Sequence, residues 1–313
     1  GVAPGGDIVL SVHMAGPGHD LQVGQQGRIV QGGRHLAHAA AIGGHGLAAH
    51  IGGADLESSL LGGGAHGIVI AEVLAAVDHG AADVPGGLAD VAGSLPQSLA
   101  ANGDRVSVIL PLYQSVADAW RDRLHFERYT YVRLAWRSLY CGLFSYERQG
   151  VTWYFVDNEQ YFKRPELYGY YDDGERFAFF CRAVTELLPL LPEKPDVVHC
   201  NDWQTALVPI YIRDEAVREE FYKSVRTVIT VHNIEYQGRY GRETVEDLFG
   251  LDAGWFTGGT LAFDGDVNLL KGAIVTADAV TAVSPTYAQE LKYAYFAHGL
   301  ESVMQMVEGK LHG

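Results

Sequence analysis

The sequence predicts an α/β fold: a Rossmann-like doubly wound parallel sheet over residues 84–313, preceded by a Gly/Ala/His-rich segment, residues 1–83, that stands outside it. Three observations carry this. Short β-branched runs recur at residues 106–110 (VSVIL), 197–200 (VVHC), 228–231 (VITV) and 280–283 (VTAV). Stretches with helical apolar spacing lie between them. Continuous apolar strands alternating with helices bury both faces of a sheet, which is the pattern of parallel strands joined by crossover helices. The third observation is a break in composition. Up to Asp83 the chain has no Lys, Phe, Tyr, Trp, Cys, Asn or Thr, and all 17 Tyr, 12 Phe and 5 Trp lie beyond it.

Taken in order, the first segment holds half of the 38 Gly, in repeated Gly-Gly steps, and has no large aromatic to anchor a core. Each Gly adds to the entropy lost on ordering. Its histidines, such as His35, His38, His45 and His50, read either as a metal site or as scattered residues. No carboxylate or thiol frames them, which favours the second. The segment is expected to be disordered low-complexity chain, or foreign translation joined to the fold. Residues 67–72 (GIVIAE) imitate a strand, but their distance from the glycine loop at Gly86-Gly87 is too long for the strand expected before it.

Beyond Val84 the elements are regular. Leu88, Val91, Leu95 and Leu99 have helical spacing that ends at Gly103, with Pro96 a kink unless it sits near the helix start. Residues 177–191 form a second apolar helix stopped by Pro192. Ser284-Pro285 is a helix start, with Ser as N-cap and Pro at the first helical position. Together these make a domain of about 230 residues, large for a single one.

A net charge of −15 argues against a nucleic-acid or anionic-membrane partner, because phosphates would be repelled. No apolar run is long enough to span a membrane, and the N-terminus lacks the basic-then-apolar order of a signal peptide. Cys141, Cys181 and Cys200 are an odd number without CxxC spacing. They read as reduced, mostly buried thiols of a cytoplasmic protein.

In doubly wound sheets ligands bind beyond the carboxyl ends of the strands. That rule selects Asn201-Asp202-Trp203 after VVHC, His232-Asn233 after VITV, Ser284 after VTAV, and Gly86-Gly87 before a helix. Hydrogen-bonding side chains beside an aromatic face suit a sugar. Each has a plainer reading as well: Asp202 as a helix cap, Trp203 as core, His232 as a satisfied strand-end histidine, Gly86-Gly87 as an ordinary turn. Asp264-Gly265-Asp266 matches the DxD of metal-dependent sugar transferases and is read as a solvated loop. No H-E-x-x-H, G-x-S-x-G or GxxxxGK[ST] sequence occurs, so zinc, serine-nucleophile and P-loop chemistry lack support.

GGLADVAGSLPQSLAANGDRVSVILPLY, FVDNEQYFKRPELYG, ERFAFF, DVVHCNDWQTALVPIYI, VITVHNIEYQG and ADAVTAVSPTYAQEL follow one another in this chain. In that order they resemble the N-terminal half of bacterial glycogen synthases and plant starch synthases. The resemblance covers about residues 85–313 and implies a GT-B architecture of two Rossmann-like domains facing across a cleft. It implies transfer of glucose from ADP-glucose to an α-1,4-glucan with retention, and neither metal nor other cofactor. It places Gly86, Gly87 and Asp90 near the donor phosphates and His232 against the donor glucose. Asp202, Trp203 and Asn233 fall at neighbouring sugar-contacting positions, and Tyr168 at an acceptor-side tyrosine. A cytoplasmic location is implied, or a plastid one for a plant source. A sucrose synthase relative fits HNIEYQG and GGLADVAGSLP less well.

Two departures stand out. Val84-Pro85 replace the Lys-Thr of the family's Lys-Thr-Gly-Gly-Leu loop, removing the Lys that pairs with donor phosphates. The chain also stops at Gly313, where the family is still in its first domain. The expectation is therefore an inactive fragment of a glucan synthase, with a non-catalytic glucan-binding module as the alternative.

Overall fold

In the computed structural model, residues 66–70 and 87–313 are described, and the side chains of residue 70 and residues 87–92 are left aside. Four predicted strands are present: β2 (Arg105–Pro111), β6 (Val197–Asn201), β7 (Arg226–Val231) and β11 (Ala279–Ala282). They join β1 (His66–Ile70), β3 (His125–Leu134), β4 (Arg137–Arg148), β5 (Val151–Asp157) and β12 (Leu311–His312) in one nine-stranded sheet. Its order is β12-β11-β7-β6-β1-β2-β5-β4-β3. Every pairing from β12 to β5 is parallel, and β5-β4 and β4-β3 are antiparallel.

Two features differ from expectation. The first is β1. Residues 67–72 were set aside because of their distance from the glycine loop, yet His66–Ile70 lies in the middle of the sheet, in parallel register with both β2 and β6. Ile68 and Val69 are fully buried there. The physical reason is pairing: β2 and β6 each expose a row of backbone groups toward this slot, and any short apolar strand filling it satisfies both. The remainder of residues 1–83, with His35, His38, His45 and His50, lies outside the described residues.

The second is the antiparallel margin β3–β5. Only one face of its outermost strand, β3, packs inward: Val132 and Leu134 are buried while Tyr129 and Tyr131 are exposed. The turns between its strands use Ala135, Gln149 and Gly150 at positive φ, the twist that tight hairpins require.

The helices follow the sequence closely. α1 (Gly87–Ala101) contains Pro96 and ends as Gly103 predicts. Gly103, at φ 98°, donates to the Ala100 carbonyl and Asp104 to that of Leu99, the paired closure that a left-handed residue permits. α2 (Asp173–Leu187) starts four residues before the expected 177 and gives way to a 3-10 turn at Leu188–Leu190. Leu207–Glu215 forms α3, and Leu269–Thr276 forms α4. α5 (Pro285–Glu290) begins as expected, its Ser284 hydroxyl accepting from the Tyr287 N–H at 3.0 Å. Ala178, Phe179 and Phe180 of α2 join the largest core cluster with α3 and α4 residues, and Leu95 and Leu99 of α1 join a second with β2 and β5.

A small sheet, β8 (Arg239–Tyr240), β10 (Asp266–Asn268) and β9 (Ala262–Phe263), lies beyond β7 in sequence. Asp264 and Gly265, both at positive φ, form the two-residue turn between β9 and β10. The DxD motif is thus a hairpin turn, with Asp266 near Arg239 at 3.4 Å. All three cysteines are buried free thiols. Among the described residues no helix is long and apolar enough to cross a membrane.

Candidate functional site

The chain leaves β1 toward β2 on one side of the sheet and returns through β6 on the other. Strand order therefore reverses at the β1/β6 boundary, which opens a crevice beyond the carboxyl ends of these strands. Asn201, the last residue of β6, and Asp202 emerge there, and His232 emerges from the adjoining β7.

Asp202 is not a helix cap. Its side chain accepts no bond from the following 3-10 turn. Its Oδ1 instead accepts the backbone N–H of His232 at 2.8 Å and, more weakly, that of Asn233 at 3.4 Å, tying the β6 loop to the β7 loop. Asp202 adopts φ 54°, an uncommon conformation for a residue with a side chain and one that costs local strain. Burial raises its carboxyl to about 7, more than the two N–H donors lower it.

His232 is held twice, by its N–H on Asp202 and by its ring. Its Nε2 lies 2.9 Å from Oδ1 of Asn201, which is itself buried. With the amide oxygen as acceptor, Nε2 carries the proton and Nδ1 keeps its lone pair. Burial, and secondarily the charge His199 would carry, lowers the imidazole to about 4. A neutral ring of fixed tautomer results. Behind it, His199, Thr230 and Thr281 form a buried polar thread across β6, β7 and β11.

The loop after His232 is fastened from several sides. Asn233 is exposed, and its Oδ1 accepts the Glu235 N–H at 2.9 Å. Ile234 donates its N–H to the Tyr287 hydroxyl at 3.1 Å. Buried Gln237 donates to the Ile234 and His298 carbonyls and accepts from Asn268. Trp203 is half-buried, with one side packed edge-on against Phe177 and tilted against Tyr240. It also lines a cavity of about 420 Å³ with Glu235, Tyr236, Gln237, Gly238, Arg239 and His298. Trp203 thus combines both of its sequence readings, core contact and site wall.

Asp202, His232 and Asn233 are therefore joined by hydrogen bonds, and Trp203 follows Asp202 in the chain. Tyr168 stands exposed on the loop leading into α2. That loop is anchored by Arg176, which is fully buried and donates to Asp173 and to the Tyr161 and Leu167 carbonyls. Gly87 opens α1 and Asp90 lies in its first turn, where backbone N–H groups favour an anion. Gly86 lies outside the described residues. Sequence reasoning did not find the roles of Asn201, Tyr287, Gln237 or Arg176. Asn201 carries a positional signal at the end of VVHC, but its bond to His232 depends on β6/β7 register.

Comparison with known proteins bears on the family and the fold. The family described as starch synthase catalytic domain matches residues 80–306. The glycogen synthase of Geobacillus thermodenitrificans is 46% identical over 228 residues, 73% of this chain and 47% of that protein. The glycogen synthase of Lactobacillus acidophilus is 45% identical over 73% of this chain and 48% of its own length. The chain thus spans about half the length of these curated relatives. The catalytic domain of Starch Synthase IV from Arabidopsis thaliana, solved bound to ADP and acarbose, superposes with a TM-score of 0.69 at 32% identity. That alignment covers 80% of this chain and 50% of the plant domain. β1 precedes the family-matched residues, while Asp202, Trp203, His232 and Asn233 lie within them. The family match over residues 80–306 and the shared fold agree: this chain belongs to the starch synthase catalytic domain family.

Proposed function

We propose that this chain forms the sugar-positioning half of a retaining glucosyltransferase, which moves glucose from ADP-glucose to the non-reducing end of an α-1,4-glucan. The observation that carries the proposal is the bonding of His232, whose backbone N–H donates to Asp202 and whose ring meets the Asn201 amide, in surroundings whose burial lowers its imidazole to about 4. Donor cleavage leaves an oxocarbenium-like glucosyl group and new negative charge on the departing diphosphate. A protonated histidine beside that cation would oppose it, whereas a neutral ring with an available Nδ1 accepts from a sugar hydroxyl and orients the glucose. Because the diphosphate is already a good leaving group, a strong general acid is needed less than in glycoside hydrolysis. Gly87 and the first turn of α1 offer backbone N–H groups to the donor phosphates in this reading. Trp203, Asn233 and Tyr168 contact glucan.

His232→Ala in an intact enzyme carrying this chain should lower glucose incorporation into glycogen by orders of magnitude, and near-normal turnover would remove His232 from the site. In the chain itself, Trp203→Ala should abolish the change in intrinsic fluorescence that maltotriose causes at the Trp203 cavity. A second reading rests on Val84-Pro85 standing in place of the family's Lys-Thr. A chain so altered would keep the glucan site and lose donor affinity. Calorimetry with ADP-glucose on an intact enzyme carrying this chain separates the two: heat of binding supports the transferase, and its absence with maltotriose still bound supports a glucan-binding module.

A further inference from the structure

Residues 163–172, the loop that carries Tyr168 toward α2, form neither helix nor strand. They are nevertheless tied at both ends and in the middle. Arg164 closes the loop. Its Nη1 and Nη2 donate to the two carboxylate oxygens of Asp172 at 2.6 and 2.7 Å. Its Nε and Nη2 also donate to the Gln160 carbonyl at 3.1 and 2.9 Å. One guanidinium thus joins the helical turn Glu159–Phe162 to the residue just before α2. The hydrogen bonds from Arg164 hold the Asp172 carboxyl below its usual range, so the pair stays ionised at neutral pH. Tyr170 holds the middle. Arg164 and Arg176 each place a guanidinium carbon 4.9 Å from the centroid of its ring. Its hydroxyl accepts the Glu166 N–H at 3.0 Å, and Oδ2 of Asp173 accepts the N–H groups of Gly169 and Tyr170 at 2.6 and 3.1 Å. On either side of Gly169 and Tyr170 in the chain, Tyr168 is 43% exposed and Tyr171 is fully exposed.

This loop is also built onto the candidate site. α2 begins at Asp173, directly after it. A Cβ on Gly174 would lie 2.6 Å from Cε1 of Tyr240, so glycine lets the first turn of α2 close on that ring. Tyr240 in turn lies tilted against Trp203 with centroids 6.2 Å apart, and Phe177 of α2 stands edge-on to Trp203 at 5.4 Å. Asp172 therefore sits at the end of a helix whose first turns rest on the wall of the Trp203 cavity. An ion pair as accessible as Arg164–Asp172 adds little to global stability. The bonding of one guanidinium to both ends of the loop points to placement instead. A tyrosine on an untied loop loses conformational freedom when it meets a ligand, whereas on a tied loop that freedom is already lost.

We propose that Arg164 and Asp172 are positioning residues for the glucan acceptor, which act by setting the loop that presents Tyr168. This rests on the glucan-transferase reading above and deepens it, because neither side chain has to touch the glucan. Loss of either partner frees the same loop, so the two losses do not add.

The test is steady-state kinetics of an intact enzyme carrying this chain, with glycogen and ADP-glucose varied in turn. Arg164→Ala should raise KM for glycogen about tenfold, the ratio expected when preorganisation of one or two contacting side chains is lost. KM for ADP-glucose and kcat at saturating glycogen should stay within about twofold of wild type. Asp172→Asn, which keeps the shape of the side chain and removes its charge, should act in the same direction and provides the test if Arg164→Ala does not fold. The double variant Arg164→Ala/Asp172→Asn should be no worse than the weaker-binding single variant. In a Tyr168→Ala background, Arg164→Ala should change KM for glycogen by less than about twofold. Effects that multiply there would show that Arg164 does not act through Tyr168, which overturns the proposal. A lowered melting temperature with unchanged KM for glycogen would show a purely structural pair and overturn it as well. If Trp203→Ala raises KM for glycogen while Arg164→Ala and Asp172→Asn leave it at wild type, the positioning role is refuted and the transferase reading stands. If the wild-type enzyme incorporates no glucose from ADP-glucose into glycogen, both are refuted.

Discussion

His232 and Asp202 ionise away from the pH of their free counterparts, and in opposite senses. Burial lowers the imidazole to about 4 and raises the carboxyl to about 7. Unfolded histidine takes up a proton below about 6.5, where folded His232 still resists, so acidification from about 6.5 toward 4 favours the unfolded chain. Asp202 does the reverse: the folded state keeps its proton up to about 7 while the unfolded state loses it near 3.9, so rising pH weakens the fold through that window. Two predictions follow from these signs. The melting temperature of Asp202→Asn minus that of wild type should become more positive from pH 5 to pH 8, since the amide never ionises and still accepts both N–H bonds. For His232→Gln the same difference should become more positive from pH 7 to pH 4.5. Flat differences in differential scanning fluorimetry would mean that these groups are not buried as described. At this scale the sequence showed which residues gather, because each follows a strand. It did not show what they do to one another. Asn201 and His232 are 31 residues apart, and the bond that fixes the tautomer exists only through β6/β7 pairing.

The elements that hold the site depend on close approaches that leave little trace in composition. Gly238 lies at φ 62°, and a Cβ there would sit 2.6 Å from Cε3 of Trp203. Both the backbone conformation and the ring contact require glycine. Gly238→Ala should therefore cost about 1–3 kcal/mol by overpacking and strain. It should also move the Trp203 ring, with a shift in tryptophan emission and weaker maltotriose binding. Chemical denaturation and emission spectra check both effects, and wild-type values in each would show that the loop does not lie against Trp203. Helices with clear signals were legible, including the Ser284-Pro285 start of α5 and the Gly103 closure of α1. The hairpins β3–β5 were not, because one face of β3 is aromatic and exposed. That blurs the polar/apolar alternation by which half-buried strands are recognised.

At the scale of the whole molecule, the sheet depends on a strand that its distance from the glycine loop had excluded. Without β1, the facing edges of β2 and β6 would leave their backbone groups unpaired in the interior. The crevice at the strand reversal would lose one of its two sides. His66–Ile70 fills that place with few means: Ile68 and Val69 are buried, the His66 N–H donates to Asp196, and the His66 ring reaches Ser107. Linear distance from the glycine loop hid it, since a strand is recruited by the slot it fills rather than by its spacing in the chain. Proline at position 68 would remove the strand's central N–H from the ladder, which a strand in the middle of a sheet does not tolerate. Ile68→Pro should therefore abolish or sharply lower the cooperative melting transition. The Ile68 and Val69 amides of the wild-type chain should exchange with solvent deuterium only through global unfolding. Fast exchange at these amides, with an unchanged transition for Ile68→Pro and for a chain beginning at Val84, would show that residues 66–70 are dispensable. The sheet would then have to close between β2 and β6 by other means.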